Sequence, residues 1–220
     1  MASEQPDLLR KVASVIGHEL RNPLAVISNS AYFLKAKLGA DGRLDPKVEK
    51  HLGIVASEVA RADRMIGDLL TYSRPIEKRL GQCAVASVVE SAVAALAAPE
   101  TVKIEKSLDG SEAAIETEHL SLIVRKLLDN AVEAMPKGGT IKITVKGSAK
   151  GVVLEIKDDG EGIKSEVLPN LFQPFATGKP KGLGLALALS RKILSAYGGS
   201  ISGKNEKGGG ASFRVELPKA

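Results

Sequence analysis

The segment VIGHELRNPLAV, residues 15–26, sets His18 directly before Glu19 and one helical turn before Asn22, with Pro23 following. Near neutral pH an imidazole can exchange a proton or act as a nucleophile, and a carboxylate beside it biases both. At helical spacing His18 and Asn22 stand i,i+4 and Glu19 and Asn22 i,i+3, so the three occupy neighbouring ridges of one surface. Pro23 cannot donate to the carbonyl of Glu19 and its ring crowds that turn, which predicts a bend close to His18. A bend costs stability, and beside an exposed histidine it points to access for a partner or substrate. His51 and His119 lack such a setting: the first sits beside Leu52 with no acid after it, and the second precedes an apolar run.

A second group of residues lies in the C-terminal half. In LLDNAVEAM, residues 127–135, Leu127, Leu128, Ala131 and Met135 form the apolar face of a helix and Asn130 points elsewhere. Asparagine is a mediocre helix former, so its place there asks for a reason. DDGEGI, residues 158–163, ends a strand pattern with Asp158, Gly160 and Gly162. Glycines there let backbone approach a ligand closely, and a buried carboxylate can read the amino group of a base. LFQPFATGKPKGLGLALA, residues 171–188, holds Phe172 and Phe175 around Pro174, then Thr177, Gly178 and Lys179, then Gly182 and Gly184 leading into a helix. Glycine-rich backbone at a helix N-terminus cradles phosphate, because its amides and the helix dipole favour anions, and Lys179 and Lys181 add positive charge.

Two kinds of element must position these groups. From Leu20 the apolar positions run Leu20, Leu24, Ile27, Ala31, Leu34 and Leu38, and after GADGRLDP they run Val48, Leu52, Val55, Val59, Ala62, Ile66 and Leu69. Two heptad seams joined by such a turn predict an antiparallel helical hairpin, with Gly39 and Gly42 ending the first helix and Asp45 and Pro46 starting the second. A lone hairpin leaves each seam half covered, so two chains pairing into a four-helix bundle is the economical way to dry it, and a homodimer is expected. His18, Glu19 and Asn22 fall off the seam. Beyond residues 74–75, where Pro75 should end the helix, the pattern changes. TIKITVK, VVLEIKD and ASFRVELP alternate with period two, and helical patterns fall at roughly 86–98, 117–135 and 183–197. This predicts two domains: an all-α hairpin over 1–75, and an α+β layer over 76–220 with helices on one face of a sheet.

Composition narrows the classes. Aromatic residues are only 3% of the 220-residue chain, so the core must be built from Ala, Val, Leu and Ile. The formal charge of +5 comes from Lys and Arg scattered among Asp and Glu, without a basic run or aromatics for base stacking, which argues against nucleic acid. Cys83 stands alone, so no disulfide framework exists and a reducing, cytoplasmic setting fits. No apolar stretch approaches a membrane span, which leaves no membrane contact for this segment; any membrane-receptor portion would lie outside it.

The segment HELRNPL resembles the phospho-acceptor box of the two-component sensor histidine kinases, whose dimerisation domain is such a hairpin. The order and spacing of LLDNAVEAM, DDGEGI and the glycine-rich stretch resemble the Bergerat (GHKL-type) ATP-binding sandwich of histidine kinases, gyrase, a mismatch-repair ATPase and a chaperone family. The resemblance implies that His18 accepts a phosphoryl group from ATP and passes it to an aspartate on the receiver domain of a response regulator. It gives Glu19 a hydrogen bond to the far ring nitrogen, and Glu19 with Asn22 the phosphatase reaction on the phosphorylated regulator. It carries Asn130 to Mg²⁺, Asp158 to the adenine amino group, Gly160 and Gly162 to the base pocket, and Gly182, Leu183 and Gly184 to the phosphates. Residues 176–181, with Thr177, Lys179 and Lys181, become a lid. The chain departs from the family at Ala186, where a third glycine is usual, and at Lys126, often Asn in the kinases. Lys126 either contacts phosphate or weakens the metal shell. In the hydrolases of this fold that place holds a glutamate base, and lysine is a poor base. Two rival readings are an ATPase of the same fold, disfavoured by Lys126 and the hairpin, and a phosphatase or scaffold that binds ATP weakly.

Overall fold

The structure, a computed structural model, describes residues 4–40, 42, 44–79, 81–178 and 183–220. The chain divides into two compact units, Met1–Pro75 and Ile76–Ala220.

The first unit is a pair of helices, α1 (Glu4–Ala40) and α2 (Pro46–Ser73). α1 runs through Pro23 without interruption. The proline is exposed, so the carbonyl deprived of its donor can turn to water. Gly42 takes a φ of 64° in the turn. Asp45 caps α2 by accepting the Lys47 N–H at 2.6 Å, and Pro46 occupies the first helical position. Antiparallel pairing shows in the cross-links: Lys35 meets Glu49 at 3.1 Å near the turn, and Arg21 meets Asp63 at 2.7 Å farther along.

The apolar seam splits into two stripes. Gly17, Ala31 and Ile66 are buried between the helices, with Leu24, Leu38, Leu52 and Val59 half-buried along the same line. Leu20, Ile27 and Leu34 are 46%, 46% and 49% exposed, and Val48 and Val55 stay exposed on α2. A single hairpin therefore covers one stripe and presents the other to solvent.

The second unit is built on a five-stranded sheet in the order β2-β4-β5-β7-β6. Its strands are β2 (Val102–Leu108), β4 (Gly139–Ser148), β5 (Gly151–Asp158), β6 (Ser200–Asn205) and β7 (Ala211–Leu217). β2 and β4 are parallel and the other neighbours antiparallel. A short pair, β1 (Cys83–Ala84) with β3 (Glu112–Ala113), stands apart from it. The helices α3 (Val85–Ala94), α4 (Thr117–Glu133) and α5 (Ala186–Ala196) complete the unit. The three alternating segments read from sequence are β4, β5 and β7, the centre of the sheet. β2 and β6 are the edges, where only Val102 and Ile201 are buried, so their alternation is too weak to announce them.

Several helix ends differ from the sequence reading for local reasons: α3 spans Val85–Ala94 and stops well before Pro99 instead of running to residue 98. α4 stops at Glu133, three residues before Pro136, and α5 starts only at Ala186 because Gly184, at φ 66°, is outside helical geometry. The core lies between the helices and one face of the sheet. Ile141, Ile143, Leu154, Ile156 and Val215 meet Leu120, Ile123, Leu127, Leu128 and Ile193, all essentially inaccessible. The opposite face carries ion pairs such as Lys142–Glu105 at 3.2 Å and Arg214–Glu216 at 3.0 Å. Among the described residues no helix is long and apolar enough to cross a membrane.

Cys83 is 2% exposed and receives a 3.6 Å contact from the Thr117 hydroxyl. Burial, opposed by that contact and reinforced by Glu118 and Glu112, raises its thiol above the ordinary value. The folded thiol thus binds its proton more tightly than the unfolded one; this stabilisation is complete below the unfolded value and is lost as pH rises through the folded one. Native protein at pH 8 should react with iodoacetamide at least about a hundredfold more slowly than denatured protein. Equal rates by mass spectrometry would show that this thiol is not enclosed.

Candidate functional site

His18, Glu19 and Asn22 are exposed on α1. Gly17 explains their outward direction. A Cβ on Gly17 would lie 3.0 Å from Leu70 Cδ1 and 3.2 Å from Ile66 Cγ2, so α1 and α2 come close at this residue. The next side chain, about 100° around the helix, turns away from α2. Arg21 Nε donates to Asp63 at 2.7 Å one turn on, tying the segment to α2 without burying it. The result is an imidazole open to a large partner, with a carboxylate and an amide on adjacent ridges.

The second site is built around α4 and the loop after β5. Lys126, Asn130 and Ala134 recur every four residues along one ridge, and the first two are half-buried. The loop docks at the end of that ridge: Glu161 N–H donates to the Ala134 carbonyl at 3.2 Å. A Cβ on Gly160 would come within 2.6 Å of the same oxygen, so only glycine fits.

Asp158 owes its burial to strand periodicity. It continues the row of Leu154 and Ile156 on the face toward the helices, which puts a carboxylate at the end of an apolar row, 2% exposed. Its Oδ1 accepts the N–H groups of Gly160 at 2.9 Å and Ala211 at 3.3 Å, which hold the carboxylate plane in place. Gly210, at φ 80°, lies so close behind that a Cβ there would collide with the Asp158 carbonyl oxygen. Asn205 fastens the far end of the loop, donating through Nδ2 to the Ile163 carbonyl at 2.8 Å and accepting the Ile163 N–H at 2.6 Å. None of Ala134, Asn205, Gly210 or Ala211 is singled out by the sequence reading; the run KNEKGGGA, residues 204–211, is the one local signal that marks the last three, and nothing local marks Ala134.

The glycine-rich stretch adjoins this loop. Gly178 lies against Lys164 and Val167, just beyond residue 163. Gly184 accepts the Phe175 N–H at 3.1 Å, and Phe175 itself takes a φ of 66°, a strained value for a side chain of that size. Thr177 is exposed, and Leu183 and Gly184 are half-buried ahead of α5. Leu185 offers α5 no side-chain cap, which leaves the helix N-terminus suited to an anion. Lys179, Lys181 and Gly182 lie outside the described residues, as does part of the lid expected over 176–181.

Two features suit a nucleotide: a buried carboxylate, Asp158, for an amino group and an uncapped helix start for phosphate, while the glycines let the loop pack on Ala134, Asn205 and the Asp158 carbonyl. For a divalent metal, no cluster of three His, Cys, Asp or Glu occurs among the described residues. Asn130 offers one oxygen, in keeping with Mg²⁺, which takes few protein ligands and shares the phosphates and water. Asn205→Ala should leave Asp158 in place while loosening the loop, so the Ile163 amide should exchange with solvent at least about tenfold faster. Unchanged exchange would mean the loop is held elsewhere.

Residues 8–77 match the His Kinase A (phospho-acceptor) domain family, and residues 115–220 match the histidine kinase-, DNA gyrase B-, and HSP90-like ATPase family. Sensor protein FixL of Bradyrhizobium diazoefficiens is 32% identical over 219 residues, covering 96% of this chain and 43% of that protein. Sporulation kinase C of Bacillus subtilis is 28% identical over 222 residues, covering 98% of this chain and 50% of that protein. The chain thus spans half or less of the length of these curated relatives. The crystal structure of full-length ShkA in complex with AMPPNP shares the fold, with a TM-score of 0.76 over 96% of this chain and 46% of that one at 21% identity. Both halves are matched in the same order, with His18 in the first and Asn130 and Asp158 in the second, and the chain belongs to the sensor histidine kinases of two-component systems.

Proposed function

We propose that this chain is an autokinase core that phosphorylates His18 with ATP and hands the phosphoryl group to an aspartate of a response-regulator receiver domain. The observation that carries the reading is the exposed His18–Glu19–Asn22 trio in the same chain as a buried carboxylate, Asp158, held by the glycine-bearing loop after β5. Mg²⁺–ATP supplies the phosphoryl group and the charge neutralisation that phosphoryl transfer needs. Asp158 accepts the adenine amino group, and Gly160 and Gly162 let the base lie against backbone. Asn130 contributes an oxygen to the metal; Leu183 and Gly184 meet the phosphates, joined by Thr177, Lys179, Lys181 and Gly182. Glu19 holds the proton on the far ring nitrogen of His18, which keeps the attacking nitrogen unprotonated.

Lys126 supports transfer to histidine over hydrolysis. Lysine is normally cationic at neutral pH, so the ridge beside Asn130 carries a cation and not a base to aim water. Glu19 and Asn22 also fit the reverse task on the regulator, Asn22 positioning water against an aspartyl phosphate. The half-exposed stripe of Leu20, Ile27 and Leu34 is covered by a second copy in a four-helix bundle, and the reaction takes place in the cytoplasm.

With γ-labelled ATP the protein should acquire acid-labile, base-stable label. His18→Gln should bind nucleotide and take no label, and Asp158→Asn should lose nucleotide affinity by at least about tenfold, one hydrogen-bonded charge being worth about 1.5–3 kcal/mol. Label persisting in His18→Gln would remove His18 as acceptor. Steady phosphate release without labelled protein would favour an ATPase. Absence of label with dephosphorylation of a phospho-regulator retained would favour a phosphatase. Ile27→Glu combined with Leu34→Glu should convert the dimer to monomer in sedimentation, and a dimer that survives both changes would refute this interface.

A further inference from the structure

Tyr197 follows α5 and is 4% exposed. Its hydroxyl lies 2.8 Å from Nδ1 of His119 in the first turn of α4, and the two rings meet edge to face at 5.6 Å. Glu116, which precedes α4, brings a carboxylate oxygen to 3.3 Å of the same nitrogen. The segment arriving from the hairpin lies on this cluster. Lys78 Nζ stands 5.9 Å from the centre of the Tyr197 ring, and the Arg79 guanidinium is 3.9 Å from Glu116. Burial raises the Tyr197 hydroxyl above its ordinary value, against hydrogen bonds from the Arg79 and Glu116 backbone, so it remains a neutral donor across the physiological range.

None of these groups belongs to the nucleotide pocket. His119 is at the other end of α4 from Asn130, about 16 Å along the helix, and Tyr197 is at the other end of α5 from Gly184. The cluster joins the far ends of the two helices that bear the pocket, and the incoming chain is fastened to both.

We infer that Tyr197 and His119 are positioning residues for phosphoryl transfer, docking the interdomain segment and so setting the length of chain between hairpin and nucleotide unit. The inference rests on the autokinase reading. With Lys78 docked, only residues 74–77 connect it to Ser73, five Cα steps and a reach of at most about 18 Å. Undocked as far as Gln82, the connection becomes residues 74–82, ten steps to Cys83, and reaches about 36 Å. His18 follows Gly17, which packs on Leu70, within about a turn of the point where that connection begins. Effective concentration falls roughly as the −3/2 power of tether length, so undocking should dilute the nucleotide at the histidine about threefold.

The test compares wild type with Tyr197→Phe, His119→Ala and His119→Gln in three measurements: trypsin cleavage after Lys78 and Arg79, affinity for a fluorescent ATP analogue, and the initial rate of His18 labelling at saturating ATP. Tyr197→Phe and His119→Ala should be cleaved faster, bind nucleotide as wild type does, and label about threefold more slowly. His119→Gln, which can still meet the hydroxyl, should recover much of the wild-type behaviour. Wild-type cleavage rates, labelling as fast as or faster than wild type, or a loss of affinity large enough to explain slow labelling would each overturn the positioning role. If wild type labels at His18 and the variants match it, the docking idea alone fails. If wild type takes no label at His18, the autokinase reading fails and carries the inference with it.

Discussion

A carboxylate kept from water at the end of an apolar row needs hydrogen-bond donors close by, and the way Asp158 obtains them shapes much of the second unit. Its donors are backbone amides, from Gly160 on its own loop and from Ala211 at the start of the neighbouring strand. Backbone can come that near only where no Cβ intervenes, which is why Gly160 presses on Ala134 and Gly210 on the Asp158 carbonyl. The loop is then tied to the end of α4 at Ala134, the last position of the ridge that bears Asn130 and Lys126.

The first unit shows the opposite arrangement, with His18, Glu19 and Asn22 left exposed on α1. A glycine at residue 17 lets α1 and α2 approach, and the residue after it points outward for geometric reasons alone. The same periodicity divides the apolar residues into a stripe buried within the hairpin and a stripe left exposed. Pro23 lies within the continuous assignment of α1, on its solvated side.

Much of this was legible in the residues. The hairpin, its Asp45–Pro46 start, the three central strands and the apolar face of α4 each show a periodicity strong enough to survive without tertiary information, because all are half-buried and bounded by caps or breakers. The edge strands β2 and β6 were not legible, since each buries a single side chain. His119 reads as an unremarkable histidine before an apolar run; its partner Tyr197 lies 78 residues away, and no local pattern announces that pairing. Asn205 was missed for the same reason, its partner Ile163 lying 42 residues away.

The sequence by itself determined which segments are helix or central strand and the order of the two kinds of unit. These depend on spacing along the chain and on the preferences of single residues. Only the tertiary structure decided which amides hold Asp158, which ridge of α4 the glycine loop touches, and where the interdomain segment rests. Those contacts join residues far apart in sequence, and their geometry follows from the way sheet and helices close on one another.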